Sequence, residues 1–169
     1  MILAFDTHYF ENKAKTVCLV FKNWQDSEPK QIYDEILIGI EEYKPGSFYK
    51  RELPCILSLL NNIKTEIKNI TAIVIDGFVI LNDQNKFGLG GHLHYQLDSC
   101  IPIIGVAKSG FHDNKKNVKE LFRGESKKPL YITAIGMELN TAFEHVKSMD
   151  GSYRMPTLLQ ILDTKTKEK

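Results

Sequence analysis

Two aspartates follow buried apolar runs in this sequence, and a glutamate interrupts the apolar stripe of a helix. Asp6 comes directly after Ile2–Phe5, and Asp76 comes directly after Thr71–Ile75. Ligands of open α/β sheets bind beyond the carboxyl ends of the strands, so neighbouring strands would bring both aspartates to one edge. Glu52 is in phase with the apolar side of its helix, and a charge that is turned inward needs a partner. A shared cation would satisfy all three acids.

The cation that best suits such a set is Mg²⁺ or Mn²⁺. Carboxylate oxygens with almost no histidine or cysteine nearby favour these hard cations over zinc. Acids that hold one or two divalent cations can carry phosphodiester hydrolysis, because the metal activates a water and offsets charge on the phosphate. Each acid also has an ordinary structural explanation, as a turn or N-cap aspartate or as a glutamate that complements a helix dipole. The residue pattern alone therefore leaves a metal nuclease and a purely structural role both open.

The hydrophobic pattern around these acids changes along the chain from the spacing of β-strands to the spacing of an α-helix. Ile2–Phe5, Thr16–Phe21 and Tyr33–Ile40 are β-branched or alternating runs joined by polar turns, which predicts an antiparallel meander. From Glu52 to Ile63, apolar residues then recur at helical spacing. This pattern predicts a helix with Pro54 in its first turn.

The second half of the chain alternates strands and helices. It predicts, in order, a strand at Thr71–Ile75, a helix at Phe87–Leu97, strands at Ile101–Ala107 and Leu130–Ile135, a helix at Asn140–Met149 and a weaker helix at Met155–Leu162. A meander followed by alternating β and α elements is typical of an α/β mixed sheet with helices on its faces. No repeat or linker divides the sequence, so we expect a single domain over residues 1–169.

Composition narrows the class of protein further. The chain has 169 residues with 43% hydrophobic and 25% charged residues, which excludes a disordered or coiled-coil protein. No apolar stretch approaches the roughly 20 residues of a membrane span, and no leader is apparent, so we expect a cytoplasmic protein without a membrane partner. Three unpaired cysteines indicate buried, reduced thiols. We expect His94 and His145 to be surface residues on helices.

Charge is distributed unevenly, although the net charge is only +1. Residues 108–128 carry seven basic side chains against three acidic ones. Such a segment could follow a nucleic-acid backbone or could simply be a solvated face, and both interpretations remain open.

Five ordered motifs resemble the endonuclease V family, whose members nick nucleic acid near inosine. They are Tyr43–Pro54 (Y-K-P-G-S-F-Y-K-R-E-L-P), Ile75–Gly77 (I-D-G), Phe87–Leu93 (F-G-L-G-G-H-L), Pro102–Ser109 (P-I-I-G-V-A-K-S) and Tyr153–Pro156 (Y-R-M-P). The resemblance extends over essentially residues 2–163. It implies a ribonuclease H-like fold, which agrees with the order of elements above.

The resemblance also implies site residues. Asp6, Glu52 and Asp76 match the metal-binding acids of the family, and Asp163 matches its late acidic or histidine position. Lys108 matches a lysine that is expected near a substrate phosphate.

Three further matches concern the substrate. Tyr43 matches the aromatic residue of a wedge loop that holds the strand apart around the lesion, and Pro45 and Gly46 continue this loop. His92 lies in the F-G-L-x-x-H-L segment, where it is either structural or part of the substrate site. The implied cofactor is Mg²⁺, with Mn²⁺ as an alternative, and the implied partner is inosine-containing DNA or RNA bound by a monomer.

Several polar groups of the family pattern are absent. The segment after Asp76 lacks the histidine and proline of D-G-x-G-x-x-H-P-R, and Thr157–Gln160 replaces E-P-T-R and so loses an arginine. The acids are retained while substrate-side groups change. Two alternatives therefore remain beside an inosine-directed endonuclease: a nuclease of the same fold with another lesion preference, and a non-catalytic nucleic-acid-binding relative.

Overall fold

A computed structural model describes residues 1–40 and 45–168. The strands are β1 (Ile2–Phe10), β2 (Lys13–Phe21), β3 (Gln31–Ile38), β4 (Ala72–Asp76), β5 (Ile103–Ala107), β6 (Lys119–Leu121) and β7 (Leu130–Ile135). The helices are α1 (Phe48–Ile63), α2 (Leu89–Gln96), α3 (Leu139–Ser148) and α4 (Thr157–Lys167). Within the described ranges, no helix is both long enough and apolar enough to cross a membrane.

All seven strands form one mixed sheet in the order β3-β2-β1-β4-β5-β7-β6. β1, β4 and β5 are parallel neighbours, whereas β1–β2, β2–β3, β5–β7 and β6–β7 are antiparallel pairs. The predicted meander, followed by parallel strands with helical crossovers, is confirmed. Its parallel centre is apolar on both faces because helices cover both faces.

Two cores flank the sheet. One includes Val146 of α3 and Leu158 and Leu162 of α4, packed against the sheet residues of one face. The other includes Ile56 of α1 and Leu93 of α2 on the opposite face. Different helices therefore cover the two faces of the sheet at the carboxyl ends of β1 and β4: α4 lies on one face and α1 on the other.

Several elements differ in their bounds from the sequence-based prediction, and α4 ends at Lys167 rather than Leu162. β1 does not end before Asp6 but continues to Phe10, because its second half needs only β2 as a hairpin partner. The short strand β6 was not predicted, since three residues that include Lys119 and Glu120 carry no apolar pattern. Pro54 lies in the second turn rather than the first, because α1 begins at Phe48.

Gly105 is required where the segment after β4 crosses β5. A Cβ atom at this position would lie 2.5 Å from the Gly77 carbonyl oxygen and 2.5 Å from Thr133 Oγ1. The same hydroxyl accepts a hydrogen bond of 2.8 Å from the Val79 amide. Any side chain at residue 105 would therefore push apart the backbone that follows Asp76.

We expect Gly105→Ala to lower the free energy of unfolding by about 1–3 kcal/mol, the usual cost of overpacking a buried site. Urea denaturation measures this change. Ser109→Ala, at an exposed position beyond the same strand, should stay within about 0.5 kcal/mol of the unmodified protein. Equal stability of the Gly105 variant would mean that the crossing backbone can shift without cost.

Candidate active site

Asp6 and Asp76 are neighbours across the parallel pair β1–β4. Phe5 pairs with Ile75, so the next residue on each strand is an aspartate. Adjacent strands lie about 4.8 Å apart, and residues at matching register point to the same face. That face is the one occupied by Ala4 and Val74, which belong to the core under α4. The two carboxylates therefore project together toward α4.

Asp163 completes this group from α4. Together with Lys108, at the carboxyl end of β5, Asp6, Asp76 and Asp163 line one small crevice. Its remaining walls are apolar and include Phe5, Val106 and Leu162. Asp6 is 8% exposed, whereas the side chains of Asp76 and Asp163 are 40% and 33% exposed. The crevice thus combines acidic side chains at its opening with an apolar lining.

Glu52 approaches from α1, on the other face of the sheet, and is not part of the crevice wall. It is 2% exposed, because it lies on the helix stripe that includes Cys55, Ile56 and Leu59. Burial raises the pKa of Glu52 well above its ordinary value, and the charges of Asp6 and Asp76 raise it further. These three acids therefore interact electrostatically from two sides of the sheet.

The acids are held at a cost in folding free energy. Burial, followed by repulsion from Asp76, raises the pKa of Asp6 from 3.8 to about 6, although the Thr7 amide donates a 2.8 Å hydrogen bond to its Oδ1. Burial also raises the pKa of Asp76, against the opposing effect of Lys108. A carboxyl group with a raised pKa destabilises the fold once it ionises, and the loss develops as pH rises from 3.8 through about 6 for Asp6. A positive ligand would offset this cost.

Two lysines supply positive charge in the crevice. Lys108 Nζ lies 3.9 Å from Asp76 Oδ2 and 3.6 Å from Asp163 Oδ1. Lys167, one helical turn after Asp163, donates a 2.7 Å hydrogen bond to Asp163 Oδ2. Partial burial alone would raise the pKa of Asp163, but these lysines hold it below its ordinary value.

The donor set fits a hard divalent cation. All candidate ligands are carboxylate oxygens, and burial raises the pKa values of three of the four acids, which a bound cation would oppose. Among the residues that the structure describes, no three acidic, histidine or cysteine side chains already stand in a ligating arrangement. Lys108 instead lies between Asp76 and Asp163, with its Nζ 3.9 Å from one carboxylate and 3.6 Å from the other.

The substrate-side residues lie elsewhere. Tyr43 is outside the described residues. Pro45 and Gly46 form an exposed turn before α1, and Gly46 has a φ of +79°. Gly46 and His92 line a separate open cavity of about 500 Å³. His92 is stacked on Tyr49 with ring centroids 3.7 Å apart, and burial lowers its pKa.

Sequence reasoning placed several other residues wrongly. His94 is buried rather than on the surface, and its Nδ1 lies 2.9 Å from the Ile101 carbonyl oxygen. Cys100 is exposed, unlike Cys18 and Cys55. Arg123, counted as part of a basic surface, is 7% exposed and bonded to backbone carbonyls.

The sequence also left two site features unnoticed. Lys167 could have been found from its spacing of four residues after Asp163, which places both side chains on one helix face. Arg154 holds the backbone of Lys108 through a 2.6 Å hydrogen bond to its carbonyl oxygen. No local pattern marks this second contact, which joins residues far apart in the chain.

Comparisons with known proteins agree on one family. The family model described as Endonuclease V matches residues 1–164. The Endonuclease V of Nostoc punctiforme is 31% identical over 140 residues, which cover 72% of this chain and 61% of that protein. The Trichormus variabilis protein of the same name gives equal values. The chain thus spans about three fifths of the length of these curated relatives.

Solved structures agree in fold. The catalytic domain of human Endonuclease V has a TM-score of 0.80 at 19% identity and covers 98% of this chain and 80% of that one. A Ciona intestinalis Endonuclease V, in complex with a 23mer DNA containing an inosine followed by a ribo-adenosine, has a TM-score of 0.77 at 19% identity. The matched region covers 98% of this chain and 83% of the Ciona intestinalis chain. The predicted ribonuclease H-like fold is therefore confirmed.

Proposed function

Because the chain belongs to the endonuclease V family, we propose that it is a divalent-metal-dependent endonuclease that hydrolyses a phosphodiester bond near inosine in DNA or RNA. The observation that carries this proposal is the convergence of Asp6, Asp76, Asp163 and Lys108 on one crevice, with Glu52 buried behind it. Family membership alone would also fit a chain that had lost its acids.

The proposed roles follow from charge and position. Asp6, Glu52, Asp76 and Asp163 would hold Mg²⁺ or Mn²⁺, which would supply the positive charge that activates a water and offsets the charge of the phosphate. Lys108 would bind a phosphate oxygen as a compact point charge. The apolar walls of the crevice would limit competing water and so strengthen these electrostatic interactions.

The proposed preference for inosine has a different basis from the proposed chemistry. It draws on the family and on the inosine-containing DNA bound by the Ciona intestinalis relative. The segment of residues 82–86 departs from the family pattern and is bonded to a neighbouring loop, since Asp83 Oδ1 accepts 2.7 Å hydrogen bonds from the Lys115 and Lys116 amides. A nuclease with a different lesion preference is therefore the second candidate.

The buried acids argue against a non-catalytic nucleic-acid binder. Nucleic acid is negatively charged, so a binding surface has no use for repelling acids at its centre. Here burial raises the pKa values of Asp6, Glu52 and Asp76, and repulsion from a neighbouring acid adds to each rise.

The direct test is incubation of the protein with Mg²⁺ and end-labelled strands, in DNA and RNA, each with and without a single inosine. We expect cleavage near inosine only when the cation is present, and none after chelation. Equal cleavage of strands without inosine would favour the second candidate. Binding of strands without cleavage would favour the non-catalytic alternative.

Tyr43→Ala should slow cleavage of inosine strands tens-fold, because stacking of a base on an aromatic ring is worth about 1–3 kcal/mol. The free energy of unfolding and the affinity for Mg²⁺ should stay unchanged. Single-turnover cleavage rates measure the effect, and Tyr43→Phe, which keeps the ring, serves as the control. An unchanged rate and an unchanged substrate preference would assign Tyr43 a structural role.

A further inference from the structure

The segment Met149–Arg154, here the α3–α4 loop, carries an exposed aromatic ring two residues before Met155, which lines the acidic crevice. Tyr153 is 71% exposed. Within the described part of the chain, its ring stacks on no other aromatic ring. The ring therefore contributes little to the core, and its stacking face is available to a ligand.

A buried arginine holds the backbone of this loop. Arg123, which is 7% exposed, donates hydrogen bonds to the carbonyl oxygens of Tyr153 at 2.8 Å, Arg154 at 3.4 Å, Met149 at 2.7 Å and Gly151 at 3.1 Å. These bonds fix the main chain on both sides of the Tyr153 ring. An exposed ring on a fixed backbone loses little conformational entropy when it binds a ligand.

A second arginine connects the loop to the crevice. Arg154 Nη2 donates 2.6 Å hydrogen bonds to the carbonyl oxygens of Lys108 and Pro129. Lys108 is the crevice residue proposed to bind phosphate. Tyr153 is therefore held next to the strand end that carries this lysine.

A second loop packs against the backbone of the α3–α4 loop. The loop Gly124–Pro129 between β6 and β7 approaches the α3–α4 loop so closely that a Cβ atom on Gly124 would lie 2.5 Å from the Ser152 carbonyl oxygen and 3.2 Å from Tyr153 Cα. This loop carries two exposed lysines, Lys127 and Lys128, and one exposed acid, Glu125. An exposed ring on a loop that contacts both the Lys108 backbone and a lysine-bearing loop can bind single-stranded nucleic acid, in which bases stack and phosphates pair with cations.

We propose that Tyr153 stacks on an unpaired base of the substrate strand where the strand passes Lys108 and leaves the crevice. The substrate then has a single-stranded or locally opened segment on one side of the cleaved bond. This inference rests on the proposed function, because it takes nucleic acid as the ligand of the crevice.

The test is strand affinity measured without divalent cation, by fluorescence anisotropy of labelled single-stranded DNA that contains one inosine. Tyr153→Ser should weaken binding by roughly 5–150-fold, the range for one base on one ring. Tyr153→Phe keeps the ring and should bind normally. Tyr95→Ser is the matched control, since Tyr95 is 70% exposed but lies near the end of α2, away from the crevice.

Strands shortened on either side of the inosine locate the stacked base. The loss caused by Tyr153→Ser should persist with one shortened strand and disappear with the other. Equal loss with both shortened strands, no loss with any strand, or the same loss in the Tyr95 variant would overturn the proposal. Thermal unfolding checks that each variant is folded, and Tyr153→Leu, which keeps apolar bulk without an aromatic face, should bind as weakly as the serine variant.

These outcomes are separate from those of the proposed function. If the unmodified protein cleaves inosine strands and Tyr153→Ser binds them normally, only the stacking proposal fails. If no strand is cleaved but the Tyr153 variant loses affinity, the stacking surface stands and the nuclease activity fails.

Discussion

Asp76→Asn should abolish Mg²⁺-dependent cleavage while leaving nucleic-acid binding intact. Asparagine keeps the size of the side chain but removes the negative charge that would hold the cation. Turnover should fall by more than about a hundredfold, since loss of groups that merely orient metal ligands already costs about 10–100-fold. Affinity for strands without metal should stay equal or rise, because one repulsive charge is removed, and the rise should shrink with added salt.

Three measurements separate this explanation from a folding defect. Calorimetric titration with Mg²⁺ should show weaker cation binding by the Asp76 variant. Its metal-free free energy of unfolding should not decrease, because the pKa of Asp76 is raised and its charge therefore opposes folding. Asp98→Asn, an exposed change after α2, should cleave normally. Full cleavage by Asp76→Asn would remove this residue from the proposed metal site.

Arg123→Met should destabilise the protein by about 3 kcal/mol. The methionine fills part of the space but donates no hydrogen bond, so four carbonyl oxygens lose their donor. The buried Met149 carbonyl would be left unpaired, at about 1–3 kcal/mol, and the three partly buried carbonyls would exchange a charged donor for water. Since a domain is stable by only about 5–15 kcal/mol in total, this loss is large.

Urea denaturation measures the Arg123 change, and two variants calibrate it. Lys128→Met removes a surface cation and should alter stability by less than about 0.5 kcal/mol. Arg123→Lys keeps the charge but cannot reach several carbonyls at once, so it should lie between the methionine variant and the unmodified protein. A loss below about 1 kcal/mol in Arg123→Met would mean that water replaces the guanidinium without penalty.

Strands and helices were predicted most accurately from the sequence where the local hydrophobic pattern is strongest. Leu130–Ile135 was predicted with its observed bounds, because a buried apolar strand has a clear composition. β1 was cut short at Asp6, since Thr7 and His8 interrupt the apolar run although they still pair with β2. Strand pairing provides hydrogen bonds to the backbone whatever the side chains are. The polar second half of β1 therefore has no hydrophobic pattern that would predict a strand.

The sequence predicted which residues belong to the candidate site better than it predicted how they are arranged. Asp6, Glu52 and Asp76 stood out from the residues themselves, and Asp163 and Lys108 came from the family motifs. The structural roles of Arg123 and Arg154 were missed, although Arg154 lies in the Tyr153–Pro156 motif, because their partners are carbonyl oxygens, which every residue has and no sequence pattern marks.

The sequence by itself determined the alternation of strands and helices, the acids and the family, because these depend on residue type and on spacing over a few positions. Only the tertiary structure decided that Asp6 and Asp76 share a face, that Glu52 reaches them from the opposite side, and that Lys108 and Lys167 neutralise Asp163. Those relations depend on strand register and helix packing between residues distant in the chain. They are set by the combined burial of many side chains, which no local pattern contains.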